Sequence, residues 1–308
     1  MSAIEKRVIE WIKRHRMWEP EQTVLLGVSG GVDSMVMMTL LKRTQCAHRG
    51  VLNVVTINHG LRTESEKECQ YVVDAAKKLS LPVTVIALEL KKGPNLQATA
   101  RNARRNALLQ FQTDRIATAH HQDDQAETVL YRFLRGSGTI GLSGLAPLNR
   151  PWCRPILCLT KEDILSYATS NRIHWFEDPS NQESLRGRVR QILPELNELH
   201  GGAVRALVRS SQICAYDDSV LTKIVDDNWT RVFSGNRLIT EEILTFQPGL
   251  QLRFLYRFFS HNQLVIRFEV LERILGILQT KRFSTSLQIA QSNRLNITPH
   301  FIQLVSDE

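Results

Sequence analysis

Short apolar runs alternate with longer amphipathic stretches through the first two hundred residues. Residues 24–28 (Val-Leu-Leu-Gly-Val) form a compact run of the kind that makes a buried strand, and residues 35–43 behind them have helical spacing. The pairing recurs: strand signals at 51–57, 82–88 and 115–119 precede helical stretches at 64–79, 96–111 and 124–134. Strands alternating with helices predict an α/β fold, a doubly wound parallel sheet covered on both faces. Its ligand site is then expected at the strands' carboxyl ends. A glycine-rich stretch, residues 136–147, interrupts the rhythm and predicts a loop that contacts substrate.

From Pro194 onward the character changes. Residues 203–225, 241–259 and 268–279 read as helices, separated by turn signals at Gly201-Gly202, Ser234-Gly235-Asn236 and Pro248-Gly249. We therefore expect a catalytic domain over 1–200 and a smaller, mainly helical domain over 201–308. No apolar run approaches the ~20 residues needed to span a bilayer. The opening twenty residues mix Glu and Lys into an amphipathic helix and lack a signal-peptide core, so a cytoplasmic protein without membrane contact is expected.

Charge and cysteine content add two constraints. Lys and Arg number 39 against 31 Asp and Glu, a net charge of +8 that suits a polyanionic partner, although solubility alone explains it equally well. The cysteines at 46, 69, 153, 158 and 214 form no C-x-x-C pair, which excludes the usual zinc and cluster spacings. Buried free thiols in a reducing compartment are expected instead.

The strongest chemistry lies in Ser29-Gly30-Gly31-Val32-Asp33-Ser34, between the first strand and its helix. Glycines there admit positive φ and let backbone N–H groups converge on an anion, and the helix N-terminus adds its positive dipole end. Ser29 and Ser34 can donate to phosphate oxygens, and Asp33 is a hard oxygen ligand suited to Mg²⁺. A Walker A loop carries Lys-Ser or Lys-Thr after its last glycine, and this loop does not, which excludes a P-loop kinase or GTPase. A tight structural turn would explain the two glycines alone. It would not explain the hydroxyls and carboxylate around them, so these six residues are the expected ATP-binding set.

A second cluster, His120-His121-Gln122-Asp123-Asp124-Gln125-Ala126-Glu127, follows the strand at 115–119 and opens a helix. Asp124 and Glu127, three apart, face the same way. Capping would explain an acid at a helix start, but not two histidines beside it at a strand's carboxyl end. His59, His120 and His121 each read either as a general base or as a satisfied polar residue at a strand end. Arg101, Arg104 and Arg105 line one helix, as phosphate contacts or as a solvated basic face. Arg132 and Arg135 close the acidic helix, where cations favour the dipole and RNA contact is a second role.

The hexapeptide resembles the pyrophosphate loop of the N-type ATP pyrophosphatases, the PP-loop superfamily with an adenine nucleotide alpha hydrolase-like fold. That resemblance implies cleavage of ATP between its α and β phosphates and an adenylated intermediate. Further stretches resemble the tRNA(Ile)-lysidine synthetase family over roughly residues 20–200. In order they are Ile57-Asn58-His59-Gly60-Leu61-Arg62, the Asp-Asp-Gln-x-Glu-Thr…Arg-Gly-Ser-Gly segment over 123–138, Arg154-Pro155-Ile156-Leu157, and Trp175 to Asn181. The family resemblance implies ATP-dependent ligation of free L-lysine to C2 of the cytidine at the first anticodon position of tRNA(Ile), releasing AMP and diphosphate.

On the matching positions, Asp33, Arg101, Arg104, Asp124 and Glu127 become the expected catalytic residues, with Asp33 holding Mg²⁺. His59, His121, Asp124, Glu127 and Arg135 become the expected substrate contacts, with Asp124 and Glu127 holding the lysine ammonium. A homodimer is one assembly left open. The chain departs from the family pattern at Gln97, where Glu is usual, and at Arg105, where Tyr is usual. It departs again in Arg186-Gly187-Arg188-Val189-Arg190, where Gly187 replaces Asn. The alternatives are a base thiolase of the same superfamily, disfavoured by the cysteine spacing, and a non-catalytic tRNA-binding paralogue.

Overall fold

The structure, a computed structural model, describes residues 1–58, 64–88, 96–176, 185–290 and 293–306. The chain divides into two compact units, Met1–Cys214 and Ala215–Glu308. The first unit opens with α1 (Ala3–Arg14), β1 (Thr23–Gly27), α2 (Val32–Arg43), α3 (Gln45–His48), β2 (Val51–Asn58), α4 (Glu64–Lys78) and β3 (Val83–Ala87). It continues with α5 (Leu96–Leu109), β4 (Arg115–Ala117), α6 (Gln122–Phe133), α7 (Thr139–Leu142), β5 (Leu148–Asn149) and β6 (Trp152–Cys153). Then come α8 (Lys161–Ser170), α9 (Leu185–Leu199) and α10 (Ala203–Val232). The division runs through α10; Gly201 and Gly202, where the sequence suggested a boundary, precede that helix.

The strands of the first unit are ordered β3-β2-β1-β4-β6-β5. Every neighbouring pair is parallel except β5 with β6. The chain steps outward from β1 through β2 to β3, then resumes on the other side at β4. The reversal between β1 and β4 opens a crevice at their carboxyl ends, where sheets of this class place ligands. On β1, Val24 and Leu26 join a core built with α1, α2 and α8, whereas Leu25 joins Val55, Leu108, Ile116 and Trp152 on the opposite face. Apolar residues on both sides of one strand mark a sheet covered on both faces, as the sequence predicted.

Helix α2 begins three residues earlier than its sequence pattern indicated, and Met35 through Leu41 are all buried. A helix apolar on every side belongs in the interior, and this one packs against α8. Its N-terminus is thereby held rigidly at the end of β1. Tyr167 on α8 donates its hydroxyl to Glu5 Oε1 on α1 at 3.0 Å, and Trp11 Nε1 donates to the Arg154 carbonyl at 3.2 Å.

The second unit holds the remainder of α10, then β7 (Phe233–Ser234), β8 (Arg237–Ile239), α11 (Thr240–Ile243), α12 (Pro248–His261) and α13 (Phe268–Gln279). It ends with β9 (Thr285–Ala290), β10 (Asn293–Ile297) and β11 (Phe301–Ser306). The expected helices are present, with one correction. The single helix read over 241–259 is two, because Pro248 lacks an N–H and occupies the first turn of α12 behind its N-cap, Gln247. Beside these helices lies an antiparallel sheet, β7-β8-β11-β10-β9, around a core that includes Phe254, Phe258, Ile274 and Leu295.

All five cysteines are unpaired. Cys69, Cys153 and Cys158 are buried as expected, whereas Cys46 is exposed on the short helix α3 and Cys214 is half-buried. Among the described residues, no helix is long and apolar enough to cross a membrane.

Candidate active site

After β1 the chain turns through Val28, Ser29 and Gly30 into α2. Gly30 has φ +84, a left-handed conformation that a side chain would strain, and it lies against Glu68 and Val72 of α4. Gly31 is the N-cap of α2 and supplies no side-chain acceptor, so the first amides of the helix are available to an anion. Ser34 holds the loop in shape. Its Oγ accepts from Ser29 N–H at 3.1 Å, donates to the Gly31 carbonyl at 2.9 Å and lies 3.3 Å from Ser29 Oγ. Val32 and Asp33 form the first turn of α2.

Across the crevice, β4 leads into α6, whose N-cap is His121. Asp124 Oδ2 accepts the His121 N–H at 2.9 Å. His121, 7% exposed as a residue, stands at the centre of the site. Its Nε2 is 3.7 Å from Asp33 Oδ1 and 3.4 Å from Asp124 Oδ2, and its Nδ1 is 3.4 Å from Asp123 Oδ2 without hydrogen-bond geometry. Burial opposes its charge, yet Asp123, Asp124 and Asp33 together raise its pKa above the ordinary 6.5. Asp123 responds in kind. Burial works against its ionisation, but His121 and the Lys161 N–H hold its carboxyl below the usual range.

The His121 imidazolium therefore contributes stability fully below its unfolded pKa and loses that contribution as pH rises through the raised folded value. In magnesium-free buffer, NMR titration should place His121 above 6.5, and Asp124→Asn should bring it down. A midpoint at or below 6.5 in the unsubstituted protein would contradict this electrostatic account.

Two cations meet these carboxylates from distant parts of the chain. Lys161, the first residue of α8, places Nζ 2.6 Å from Asp33 Oδ1, while its backbone N–H donates to Asp123 Oδ2 at 2.9 Å. Arg190 on α9 forks onto Glu127, with Nε 2.5 Å from Oε1 and Nη2 3.0 Å from Oε2. Its Nη2 is also 4.0 Å from Asp124 Oδ1. The Glu127 hydrogen bonds push the Arg190 pKa above its ordinary value, against the effect of burial. Sequence reasoning passed over Lys161, although a cation in a helix's first turn runs against the dipole and could have drawn notice. Arg190 entered it only as part of a departure from the family pattern.

The other expected residues are spread more widely. Arg101 and Arg104 lie on α5 with exposed side chains. Burial, together with the charges of Arg101, Arg105 and Arg132, depresses the Arg154 pKa, so these four form one basic group. Arg105 also sits 5.0 Å over the Trp152 ring. Arg135 follows the far end of α6, roughly 16 Å along the helix from Asp124 at 1.5 Å per residue, and donates to the Tyr131 hydroxyl at 2.7 Å. The structure does not bring it to the carboxylates. His120 Nδ1 lies 2.9 Å from Thr118 Oγ1. His59 lies outside the described residues, as do residues 60–62 and 177–181 of the family-like stretches.

Among the described residues, no three His, Cys, Asp or Glu side chains gather into a metal cage. Magnesium in a nucleotide site needs only one or two carboxylates, with phosphates and water completing its shell. Asp33, at the head of α2 and already facing a cation, fits that demand.

Comparison with known proteins gives the family. Residues 2–196 match the PP-loop domain family model. A tRNA(Ile)-lysidine synthase from Petrotoga mobilis is 31% identical over 236 residues, covering 72% of this chain and 76% of that protein. This chain belongs to the tRNA(Ile)-lysidine synthase family of PP-loop proteins. Lysidine synthases from Symbiobacterium thermophilum and Xanthomonas axonopodis pv. citri are 35% and 38% identical, over 73% and 66% of this chain. The chain spans about half the length of these two relatives, 50% and 48%. Among solved structures, a U34-tRNA thiolase from Methanococcus maripaludis with its [4Fe-4S] cluster has a TM-score of 0.57 at 20% identity, covering 68% of this chain and 77% of that one. At that identity the likeness is one of fold. Membership of the PP-loop family carries ATP use with it.

Proposed function

We propose that this chain joins the ε-amine of lysine to C2 of the cytidine at the first anticodon position of an isoleucine tRNA, converting ATP to AMP and diphosphate. The observation that carries the reading is the meeting of two sites in one crevice. Asp33, beside the phosphate loop, and Asp124, of the Asp124–Glu127 pair, both approach His121 Nε2, at 3.7 and 3.4 Å, so the two sites meet at one histidine. One suits an anion and the other a cation, as a reaction between a nucleotide and an amino acid's ammonium group requires.

The loop amides and the N-terminus of α2 would seat the triphosphate and stabilise the charge that builds as pyrophosphate leaves. Magnesium, held by Asp33, would neutralise phosphate charge there. The cytidine O2 attacks the α-phosphorus, which makes C2 electrophilic. Asp124 and Glu127 hold the lysine ammonium beside it, and a carboxylate pair raises an ammonium's pKa, so a base must take the proton. His121, ringed by three carboxylates, is better suited to hold them together as a cation than to accept that proton. His120 and His59 are the remaining candidates. The freed amine attacks C2, the C2–O2 bond breaks, and AMP departs with the former cytidine oxygen. The target base must be unstacked to be reached, and the group of Arg101, Arg105, Arg132 and Arg154 suits the flanking phosphates. Arg104, exposed on the same helix as Arg101, is assigned with it to phosphate, and a cytoplasmic location follows from the RNA substrate.

Sulfur transfer is the weaker reading. Cys153 and Cys158, the nearest pair in sequence, are buried, and burial pushes both thiols up to about 12. Neither is a thiolate near neutral pH.

The test is to incubate the protein with ATP, Mg²⁺, radiolabelled lysine and unmodified isoleucine tRNA. Label should enter the RNA with one AMP formed per lysine, and ATP–pyrophosphate exchange should require the tRNA. Exchange without lysine incorporation would reassign the acceptor. Loss of both, with tRNA still bound, would leave a non-catalytic RNA-binding protein.

A further inference from the structure

The phosphate loop lacks the lysine that a Walker A loop carries in its own sequence. The fold supplies one from elsewhere. Lys161 is 128 residues from Asp33 in sequence, yet its Nζ lies 2.6 Å from Asp33 Oδ1 at the head of α2. Resting on the reading of that loop as an ATP site, we propose that Lys161 is a catalytic residue whose ammonium binds the β- and γ-phosphate oxygens and stabilises the departing pyrophosphate.

Local structure does not explain a lysine at this position. The first turn of α8 carries the acids Glu162 and Asp163, and Asp163 forms a capping box with Thr160, with Asp163 N–H to Thr160 Oγ1 at 3.1 Å and Thr160 N–H to Asp163 Oδ2 at 2.9 Å. A cation there opposes the helix dipole. The backbone N–H of Lys161 is pinned by Asp123, so the stem of the side chain starts from a fixed point beside the α6 N-terminus. The ion pair with Asp33 is a poor clamp for the fold, since the two side chains are 38% and 31% exposed and a pair so open to water adds little stability. What the arrangement does provide is a compact positive charge with three donors beside amides already aimed at an anion.

In the reaction, the bond from the α-phosphorus to the α–β bridging oxygen breaks, and its electron pair stays on pyrophosphate. An ammonium already within reach of the loop meets that charge without transferring a proton. Asp33 would hold the magnesium that accompanies the nucleotide, so Asp33 and Lys161 would meet the same substrate.

The experiment measures binding of magnesium pyrophosphate, α,β-methylene-ATP and adenosine by calorimetry to the unsubstituted protein, Lys161→Met, Lys161→Ala and Lys161→Arg. Melting curves check that each variant is folded. Loss of the ammonium should weaken pyrophosphate and the ATP analogue by about tenfold or more, and Lys161→Arg should recover most of this, because the contact is charge-assisted. Adenosine affinity should not change. RNA-dependent ATP–pyrophosphate exchange should lose turnover by about a hundredfold in Lys161→Met, the scale of one oxyanion-stabilising group. Pyrophosphate affinity within about twofold of the parent in both Lys161→Met and Lys161→Ala, a difference worth only tenths of a kcal/mol, would overturn the assignment of Lys161 alone. So would equal losses for adenosine and pyrophosphate, which would make the residue structural. A parent protein that binds none of the three ligands would overturn the ATP-site reading as well.

Discussion

Asp33→Ala should reduce ATP-dependent lysine incorporation by about 10²–10³-fold or more, while tRNA affinity stays within about twofold. The carboxylate sits in the first turn of α2, next to the Lys161 ammonium and the His121 ring. Removing it deletes the group assigned to magnesium and leaves the Lys161 ammonium without its carboxylate partner at a helix N-terminus that already favours anions. Binding and turnover should therefore separate. Affinity for metal-free nucleotide should hold or rise as turnover collapses, which a general loss of structure could not produce. The fold should survive, because the Asp33–Lys161 pair is open to water and worth about 1 kcal/mol at most. Nucleotide binding and single-turnover adenylation, measured on one preparation, check the prediction. Undiminished turnover would remove Asp33 from the mechanism.

Glu127→Ala should raise the lysine KM by about a hundredfold, in line with the cost of truncating one partner of a buried charge pair. RNA-dependent ATP–pyrophosphate exchange should be largely retained. Glu127 is 4% exposed, and its two oxygens receive the Arg190 fork. The lysine ammonium must therefore share this carboxylate with Arg190 or displace it, and Asp124, 4.0 Å from the same guanidinium, lies close enough to help. Arg190→Ala separates the two ways Glu127 could act. If Glu127 serves lysine directly, Arg190→Ala leaves lysine affinity equal or tighter. If Glu127 serves only to position Arg190, the two substitutions give the same losses in both half-reactions. Steady-state lysine kinetics alongside exchange rates decides between them. A normal lysine KM in Glu127→Ala would move the ammonium site elsewhere.

The regularities that the chain displayed openly were local ones. The strand–loop–helix through Ser29 to Ser34, the alternation over the first two hundred residues and the three-residue spacing of Asp124 and Glu127 all depend on neighbours a turn or less apart. Backbone sterics and side-chain periodicity act over that range. The antiparallel sheet of the second unit is absent from the sequence expectations, although part of its pattern is present in the chain. Leu287 and Ile289 are separated by Gln288 and Leu295 and Ile297 by Asn296, and all four join the core of that unit or pack against it, as do Ile302 and Leu304 in the more continuously apolar last strand. Runs of five or six residues are short enough for the helical stretches before them to overshadow.

What the sequence determined by itself was the strand–loop–helix at Ser29–Ser34, the spacing of Asp124 and Glu127, and the sheet class. Only the tertiary structure decided which partners those groups face. Because β4 pairs with β1, His121 comes within 3.7 Å of Asp33 although 88 positions separate them in sequence. Because α8 and α9 return to the same crevice, Lys161 meets Asp33 and Arg190 meets Glu127. The physical reason is one of range. A residue's conformational preferences are set by its immediate neighbours, whereas the charge that answers a carboxylate is set by strand order and helix packing, to which the whole core contributes.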